Sequence, residues 1–222
     1  MAETCRCRVV ALISGRGSNL QAILDGVVSG ALPVELAAVI SNEAAAGGLT
    51  RARQAGVATR VVAHRGRSRH EFEAELGAVL EELAPDLMLL AGFMRVLGAD
   101  LVGRFQGRML NIHPSLLPEY RGLDTHARVL ADGNTEHGVS VHFVTPVLDG
   151  GPVIAQTRVP VLENDTPDDL AVRVLRQEHR LYPLVMRWFA EGRLVLREQQ
   201  VCFDDLPLAR PILFTGEDPC DG

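Results

Sequence analysis

The sequence predicts an α/β fold, an open and mostly parallel sheet with helices on both faces. Three observations lead there. Short apolar runs alternate with amphipathic stretches through the first half of the chain, and the connections between them are short. The runs are also apolar on both faces rather than alternating, as strands buried inside a parallel sheet are.

"RVVALISG" (8–15) is the first such run, rich in β-branched residues. "SNLQAILDGVVSG" places Leu20, Ile23, Leu24, Val27 and Val28 at helical spacing, with Gly30 as the stop. "VELAAVISN" gives a second strand, "AAGGLTRARQAG" a helix closed by Gly56, and "VATRVV" a third strand. "SRHEFEAELGAVLEELAP" is an amphipathic helix ending before Pro85; "DLMLLAG", "VLGADLVGRFQG" and "RMLNIH" read as strand, helix and strand. After Pro114 the pattern changes. "THARVLADG" is a short helix, "GVSVHFVT" and "GPVIAQTRVPV" are strands, and a long helix begins at Thr166 with Pro167 at its first position. Pro183 inside that helix predicts a kink or break. "RLVLREQQVCFDD" reads as a terminal hairpin. The strand–helix alternation is Rossmann-like, and the length suits a single domain over 1–204, with 205–222 as a loosely ordered tail.

With 22 basic and 28 acidic residues the net charge is −6, which argues against a nucleic-acid partner despite the local "RGRSR". No apolar run approaches the roughly 20 residues of a membrane span. "MAETCRCRVVALISG" lacks a secretory pattern, and Cys5, Cys7, Cys202 and Cys220 form no CxxC pair. A cytoplasmic protein with free thiols is expected.

"SGRGSN" (14–19) joins the first strand to the first helix. Its glycines free backbone N–H groups beside a helix N-terminus, which suits a phosphate or a tight turn. Leu20 stands where a dinucleotide fingerprint has its third glycine, and Glu43 ends the second strand where a ribose-binding acid could sit. "NIHPS" carries more chemistry. Asn111 and His113 share one side of a strand at its carboxyl end, where open α/β sheets bind ligands. Asp149 precedes Gly150-Gly151; if it reaches His113 it raises the imidazole pKa. An amide, an imidazole and a carboxylate suit acyl transfer without a covalent enzyme intermediate. His64, His70 and His179 lie in polar contexts and are expected to be solvated. His126, His137 and His142 match no metal pattern, so no metal is expected, and Ser115 sits in no G-x-S-x-G elbow.

In order and spacing, "ISGRGSNLQAI", "LAGFMRVL", "LNIHPSLLPEYRG", "EHGVSVHFV" and "LDGGPVI" resemble the folate-dependent formyltransferases, and among them the glycinamide ribonucleotide formyltransferases of de novo purine synthesis. The resemblance runs from about Val9 to Leu196 and implies the formyltransferase fold. It also implies formyl transfer from 10-formyltetrahydrofolate, as co-substrate, to the amine of glycinamide ribonucleotide (GAR) through a tetrahedral intermediate. Asn111, His113 and Asp149 match the family's catalytic trio. Gly17, Ser18 and Asn19 match its loop for the GAR phosphate, and Leu175, Arg176, Gln177 and Glu178 a second segment on GAR. Arg69, Met94, Arg95, Val96 and Leu97 match folate contacts, as do Asn111 and the run Thr145, Pro146, Val147, Leu148 and Asp149. Glu119, Arg121 and Asp124 depart from the family, which more often has Lys or Ser, Pro and His there. Small-molecule partners and a monomer or homodimer are expected. The rival readings are another folate-dependent formyltransferase, formyltetrahydrofolate hydrolase, and a non-enzymatic nucleotide-binding regulatory module.

Overall fold

A computed structural model describes residues 6–216; Cys5, Cys220 and the last six residues of the expected tail lie outside them. The chain packs as two compact units, one ending at Leu110 and the other beginning at Asn111.

The first unit contains β1 (Cys7–Ile13), α1 (Ser18–Val28), β2 (Val34–Ser41), α2 (Gly47–Gln54), β3 (Thr59–Val61), α3 (Arg69–Leu83), β4 (Leu87–Leu90) and α4 (Ala99–Arg104). Its strands run in the order β4-β1-β2-β3, and every pairing is parallel. Val9 to Ile13 of β1 have no exposed surface, the burial that a strand covered on both faces requires. Leu20, Ile23 and Leu24 supply the buried stripe of α1, as their spacing predicts. A capping box opens α3: the Ser68 hydroxyl accepts from the Glu71 N–H while the Glu71 carboxylate accepts from the Ser68 N–H. Helix α4 is shorter than "VLGADLVGRFQG" suggests. It starts only after Gly98, whose N–H is held by Glu73 (2.7 Å), and ends at Arg104.

The second unit begins within β5 (Met109–His113) and continues through α5 (Thr125–Ala131), β6 (Glu136–Phe143), β7 (Val153–Pro160), α6 (Pro167–Ala190), β8 (Leu194–Arg197), β9 (Gln200–Phe203), β10 (Leu206–Pro207) and β11 (Ile212–Leu213). One sheet takes the order β11-β7-β6-β5, with β6 and β7 antiparallel and β11 parallel to β7. A separate three-stranded sheet, β10-β9-β8, contains the expected terminal hairpin. The expected fold class, a mostly parallel sheet with helices, is the one observed.

Two expectations are corrected here. Pro183 does not break α6, which runs uninterrupted from Pro167 to Ala190. Proline removes one helical hydrogen bond, but Leu181, Tyr182, Val185, Met186 and Trp188 are all buried on either side of it. Burial of such side chains, at roughly 1.5–3 kcal/mol each, outweighs that single loss. The tail from 205 is not loose as far as 216. Leu206 and Pro207 extend the small sheet, while Ile212 and Leu213 lie along β7. Phe214 then closes onto the same strand: its N–H donates to the Gln156 carbonyl (2.8 Å), and its carbonyl accepts from the Thr157 hydroxyl (3.0 Å). The sequence gives no amphipathic period there because two-residue strands are too short to show one.

A second capping box starts α6: the Thr166 hydroxyl accepts from the Asp169 N–H (3.2 Å), and the Asp169 carboxylate accepts from the Thr166 N–H (3.0 Å). Thr166→Ala is expected to lower stability by about 1 kcal/mol, which for a chain of this size is roughly 2–4 °C in Tm by differential scanning calorimetry. An unchanged Tm would mean that the cap contributes nothing to the unfolding equilibrium.

Candidate active site

Strand β5 ends on Asn111 and His113, and the following prolines turn the chain away. Because the two side chains share a face, both reach the same carboxylate in the second unit. Asp149 Oδ2 lies 3.4 Å from His113 Nδ1, and Asp149 Oδ1 lies 3.4 Å from Asn111 Nδ2. Asp149 sits in the loop between β6 and β7 with a left-handed backbone (φ 45°), which aims its side chain back over the sheet end. Glycine is required two residues on: a Cβ at Gly151 would overlap the Phe143 carbonyl oxygen.

Two further groups complete the arrangement, and neither is read from the sequence. The Gly122 N–H donates to Asp149 Oδ2 (2.9 Å), and His142 Nε2 stands 3.8 Å from Oδ1. His142 Nδ1 lies 2.8 Å from its neighbour's carbonyl, that of Phe143, and Nε2 lies 3.1 Å from Asn111 Nδ2. Nδ1 thus faces the Phe143 carbonyl, while Nε2 stands between the Asn111 amide nitrogen and Asp149 Oδ1. The signal for His142 was an imidazole inside the otherwise apolar "GVSVHFV", where burial demands partners.

His113 is 5% exposed, and its Nε2–H donates to the Tyr120 carbonyl (2.9 Å). Burial pushes its pKa below the ordinary 6.5, against the opposing pull of the Tyr120 carbonyl and the Asp149 carboxylate. Asp149 acts to raise this pKa, as expected, but burial of the ring outweighs it and the protonated form is not favoured. At 3.4 Å the pair is looser than a good hydrogen bond, so desolvation of the ring prevails. Burial also works against the charged form of Asp149. Contributions from His142, the Gly122 N–H and His113 outweigh it and hold the carboxyl below its usual value. The resting state is thus an ionised Asp149 beside a neutral His113. Both ring nitrogens of His113 nevertheless face acceptors, so the ring can take up a proton without turning.

In the first unit, Gly17 adopts φ 75° at the entrance to α1, and a Cβ there would lie 2.7 Å from the Gly48 Cα. Ser18 and Asn19 form the first turn of α1, at the positive end of its dipole. Arg69 donates to the Val96 carbonyl (3.0 Å) and pairs with Glu73, which also holds the Gly98 N–H. The structure thus brings Arg69 together with the Met94–Leu97 loop. Within this loop Met94 and Val96 are exposed, Leu97 is buried, and Arg95 lies over the Phe72 ring. Val147 and Leu148 of the β6–β7 loop are likewise exposed apolar residues next to Thr145, Pro146 and Asp149. Leu175, Arg176, Gln177 and Glu178 form one turn of α6, with Glu178 buried.

His64 is not solvated as expected: Asn42 Nδ2 lies 3.0 Å from its Nδ1. Glu43 Oε1 lies 3.1 Å from Arg65 Nη2 and 3.8 Å from His64 Nε2, so its carboxylate is already engaged. His126 Nδ1 meets His137 Nε2 at 3.0 Å, which seals a second imidazole pair beneath the Tyr120 ring edge.

Residues 7–186 match the formyl transferase family. The chain is 52% identical to phosphoribosylglycinamide formyltransferase of Escherichia coli K12, over 88% of this chain and 93% of that one. It is 43% identical to the Haemophilus influenzae enzyme of the same name, over 91% and 96%. Among solved structures, phosphoribosylglycinamide formyltransferase from Coxiella burnetii superposes with a TM-score of 0.90 at 50% identity. That match covers 94% of this chain and 99% of the other.

The buried imidazoles make stability depend on pH. Burial, with His126 and His113 nearby, brings the His137 pKa down to about 4, and those of His113 and His126 also lie below 6.5. The unfolded chain therefore binds more protons in this window, so the stabilisation is complete above about pH 6.5 and is lost as pH falls towards 4. Urea midpoints should drop more steeply between pH 7 and pH 4.5 in the parent than in His137→Gln. Equal slopes would remove His137 from the account.

Proposed function

The chain belongs to the formyl transferase family, and from that premise we propose that it transfers the formyl group of 10-formyltetrahydrofolate to the amine of GAR. The products are formylglycinamide ribonucleotide and tetrahydrofolate. The observation that carries this reading is the buried Asp149 carboxylate with Asn111 and His113 both directed at it.

The chemistry follows from those three side chains. The GAR amine attacks the formyl carbon and forms a C–N bond, giving a tetrahedral intermediate whose collapse breaks the bond to folate N10. One proton must leave the amine and one must reach N10. His113, neutral at rest, takes the first, and the imidazolium so formed is stabilised by the Asp149 carboxylate and the Tyr120 carbonyl that already flank it. Its Nε2 can then deliver a proton only after exchanging the Tyr120 carbonyl for substrate. As negative charge develops on the formyl oxygen, Asn111 turns to it the amide proton that Asp149 Oδ1 accepts at rest (3.4 Å). A preorganised donor of this kind is worth roughly 3–4 kcal/mol. His142 Nε2 lies 3.1 Å from the amide nitrogen and so sets the plane of the amide. The formyl group is already an activated acyl group, so the reaction needs no metal.

In this reading Gly17, Ser18 and Asn19 take the GAR phosphate at the α1 N-terminus, with Leu175–Glu178 as further GAR contacts. Arg69, Met94–Leu97 and Thr145–Asp149 take the folate. The exposed Met94, Val96, Val147 and Leu148 supply apolar surface for a flat pterin, and Arg69 supplies charge for its acidic end.

Turnover of 10-formyltetrahydrofolate should depend on GAR; comparable turnover with water or initiator tRNA as acceptor would overturn the assignment. His113→Ala and Asp149→Asn should each lower kcat by about 100-fold or more while circular dichroism spectra stay native. Near-parental turnover in His113→Ala would remove that residue from the chemistry. The acid limb of kcat/KM should lie below pH 6.5, following the lowered His113 pKa; activity that instead rises on acidification would point to a protonated resting imidazole. Ser18→Ala and Asn19→Ala should raise the KM for GAR, and an unchanged KM would reduce the loop to a turn.

A further inference from the structure

Ser14 stands at the carboxyl end of β1, where the glycine loop begins, with β1 paired to both β2 and β4. Its backbone N–H donates to the Gly92 carbonyl (3.1 Å). Its hydroxyl accepts from the Met94 N–H (2.8 Å) and donates to Asn42 Oδ1 (2.5 Å). Asn42, which follows β2, is 4% exposed and turns its amide nitrogen to His64 Nδ1 (3.0 Å). One hydroxyl thus uses both its donor and its acceptor to tie together the ends of three neighbouring strands. The residues that follow are anchored as well. The Gly15 carbonyl accepts from the Gly48 N–H (3.1 Å), and the Arg16 carbonyl accepts from Arg51 Nε (2.9 Å).

We propose that Ser14 is a positioning residue that sets the glycine loop and the Met94–Leu97 loop in one register, with Asn42 as its buried anchor. This rests on the assignment of those loops to GAR and to folate. Ser14 acts through the backbone on both sides. Its hydroxyl fixes the first residue of the folate loop, and its own main chain is the root of the phosphate loop. Loss of the hydroxyl leaves the Met94 N–H and Asn42 Oδ1 without this partner and lets the two loops drift independently. The Asp149 cluster makes none of these hydrogen bonds, so affinity for both substrates should suffer while the chemical step is spared.

The test compares Ser14→Val with Ser14→Thr, which have the same shape but differ in the hydroxyl, in steady-state kinetics with each substrate varied in turn. Ser14→Val should raise both KM values about fivefold, the size expected from one neutral hydrogen bond, with kcat within about twofold. Ser14→Thr should restore both. Asn42→Ala, which breaks the same link from the other end, should raise both KM values and supplies the measurement if Ser14→Val fails to fold. The proposal is overturned if the variants that remove the link leave both KM values within twofold of the parent, if kcat falls with KM unchanged, or if Thr and Val behave alike. Ser18→Ala measured in parallel separates two kinds of failure. If it raises the KM for GAR while Ser14→Val does not, only the strut is wrong; if neither variant acts, the loop assignment is wrong as well.

Discussion

An ionised carboxylate with 9% of its side chain exposed, that of Asp149, is the constraint around which the second unit's polar groups are arranged. Taking a carboxylate out of water costs several kcal/mol unless its lone pairs are satisfied. Here the Gly122 N–H donates to Oδ2 and the Asn111 amide to Oδ1, with the His113 and His142 rings beside them. The Asn111 contact that helps make the charge tolerable also holds that amide in place, and His113 is held by the Tyr120 carbonyl. Removing the charge therefore does more than delete a catalytic group, because it releases the donors whose positions it fixed.

The position of that carboxylate follows from elementary topology. β6 and β7 form the antiparallel pair of an otherwise largely parallel arrangement, so their connecting loop returns directly instead of crossing over a helix. It can therefore be short enough to place Asp149 beside the end of β5. Gly151 allows the close approach to Phe143, and the left-handed backbone of Asp149 turns the carboxylate inward. Helix α6 packs against both strands and holds the hairpin from one face. In the first unit the parallel order β4-β1-β2 does comparable work, gathering the loops after three strands into one hydrogen-bond network at Ser14.

What could be read from the sequence divides along the range of the forces involved. Strands such as "RVVALISG" and helices such as "SNLQAILDGVVSG" were legible because hydrophobic period and caps are local properties. The pairing of Asn111 and His113 was legible for the same reason, since i and i+2 share a face. The state of His113 was not. The sequence offers a nearby acid, whereas the degree of burial that outweighs its effect depends on packing by residues far along the chain. His142 was missed because a histidine in a strand carries no local sign of its partner. Pro183 misled because its disruptive effect is local, while the burial that overrides it is tertiary. The strand at Ile212–Leu213 exists only through pairing with β7, which no local window contains.

The loop from Glu119 to Asp124 shows how a site can keep its chemistry while its side chains change. Glu119, Arg121 and Asp124 are exposed. The groups this loop presents to the polar cluster are main-chain ones, the Tyr120 carbonyl on His113 and the Gly122 N–H on Asp149. Its shape is held from outside by further main-chain contacts: the Ser115 hydroxyl donates to the Glu119 carbonyl (2.7 Å), and Arg128 donates to the Arg121 carbonyl (2.7 Å). The Tyr120 phenol, donating to Asp132 (2.8 Å), pins the loop tip to the end of α5. Backbone groups are present whatever the side chain, so substitution at the three exposed positions leaves the hydrogen bonds to His113 and Asp149 intact as long as the turn survives. The turn itself depends on positive φ at Tyr120, Gly122 and Asp124. Of these only Gly122 adopts that conformation without strain, and it is also the residue whose N–H reaches the carboxylate. The loop therefore serves the Asp149 cluster through its conformation rather than through the chemistry of its exposed side chains.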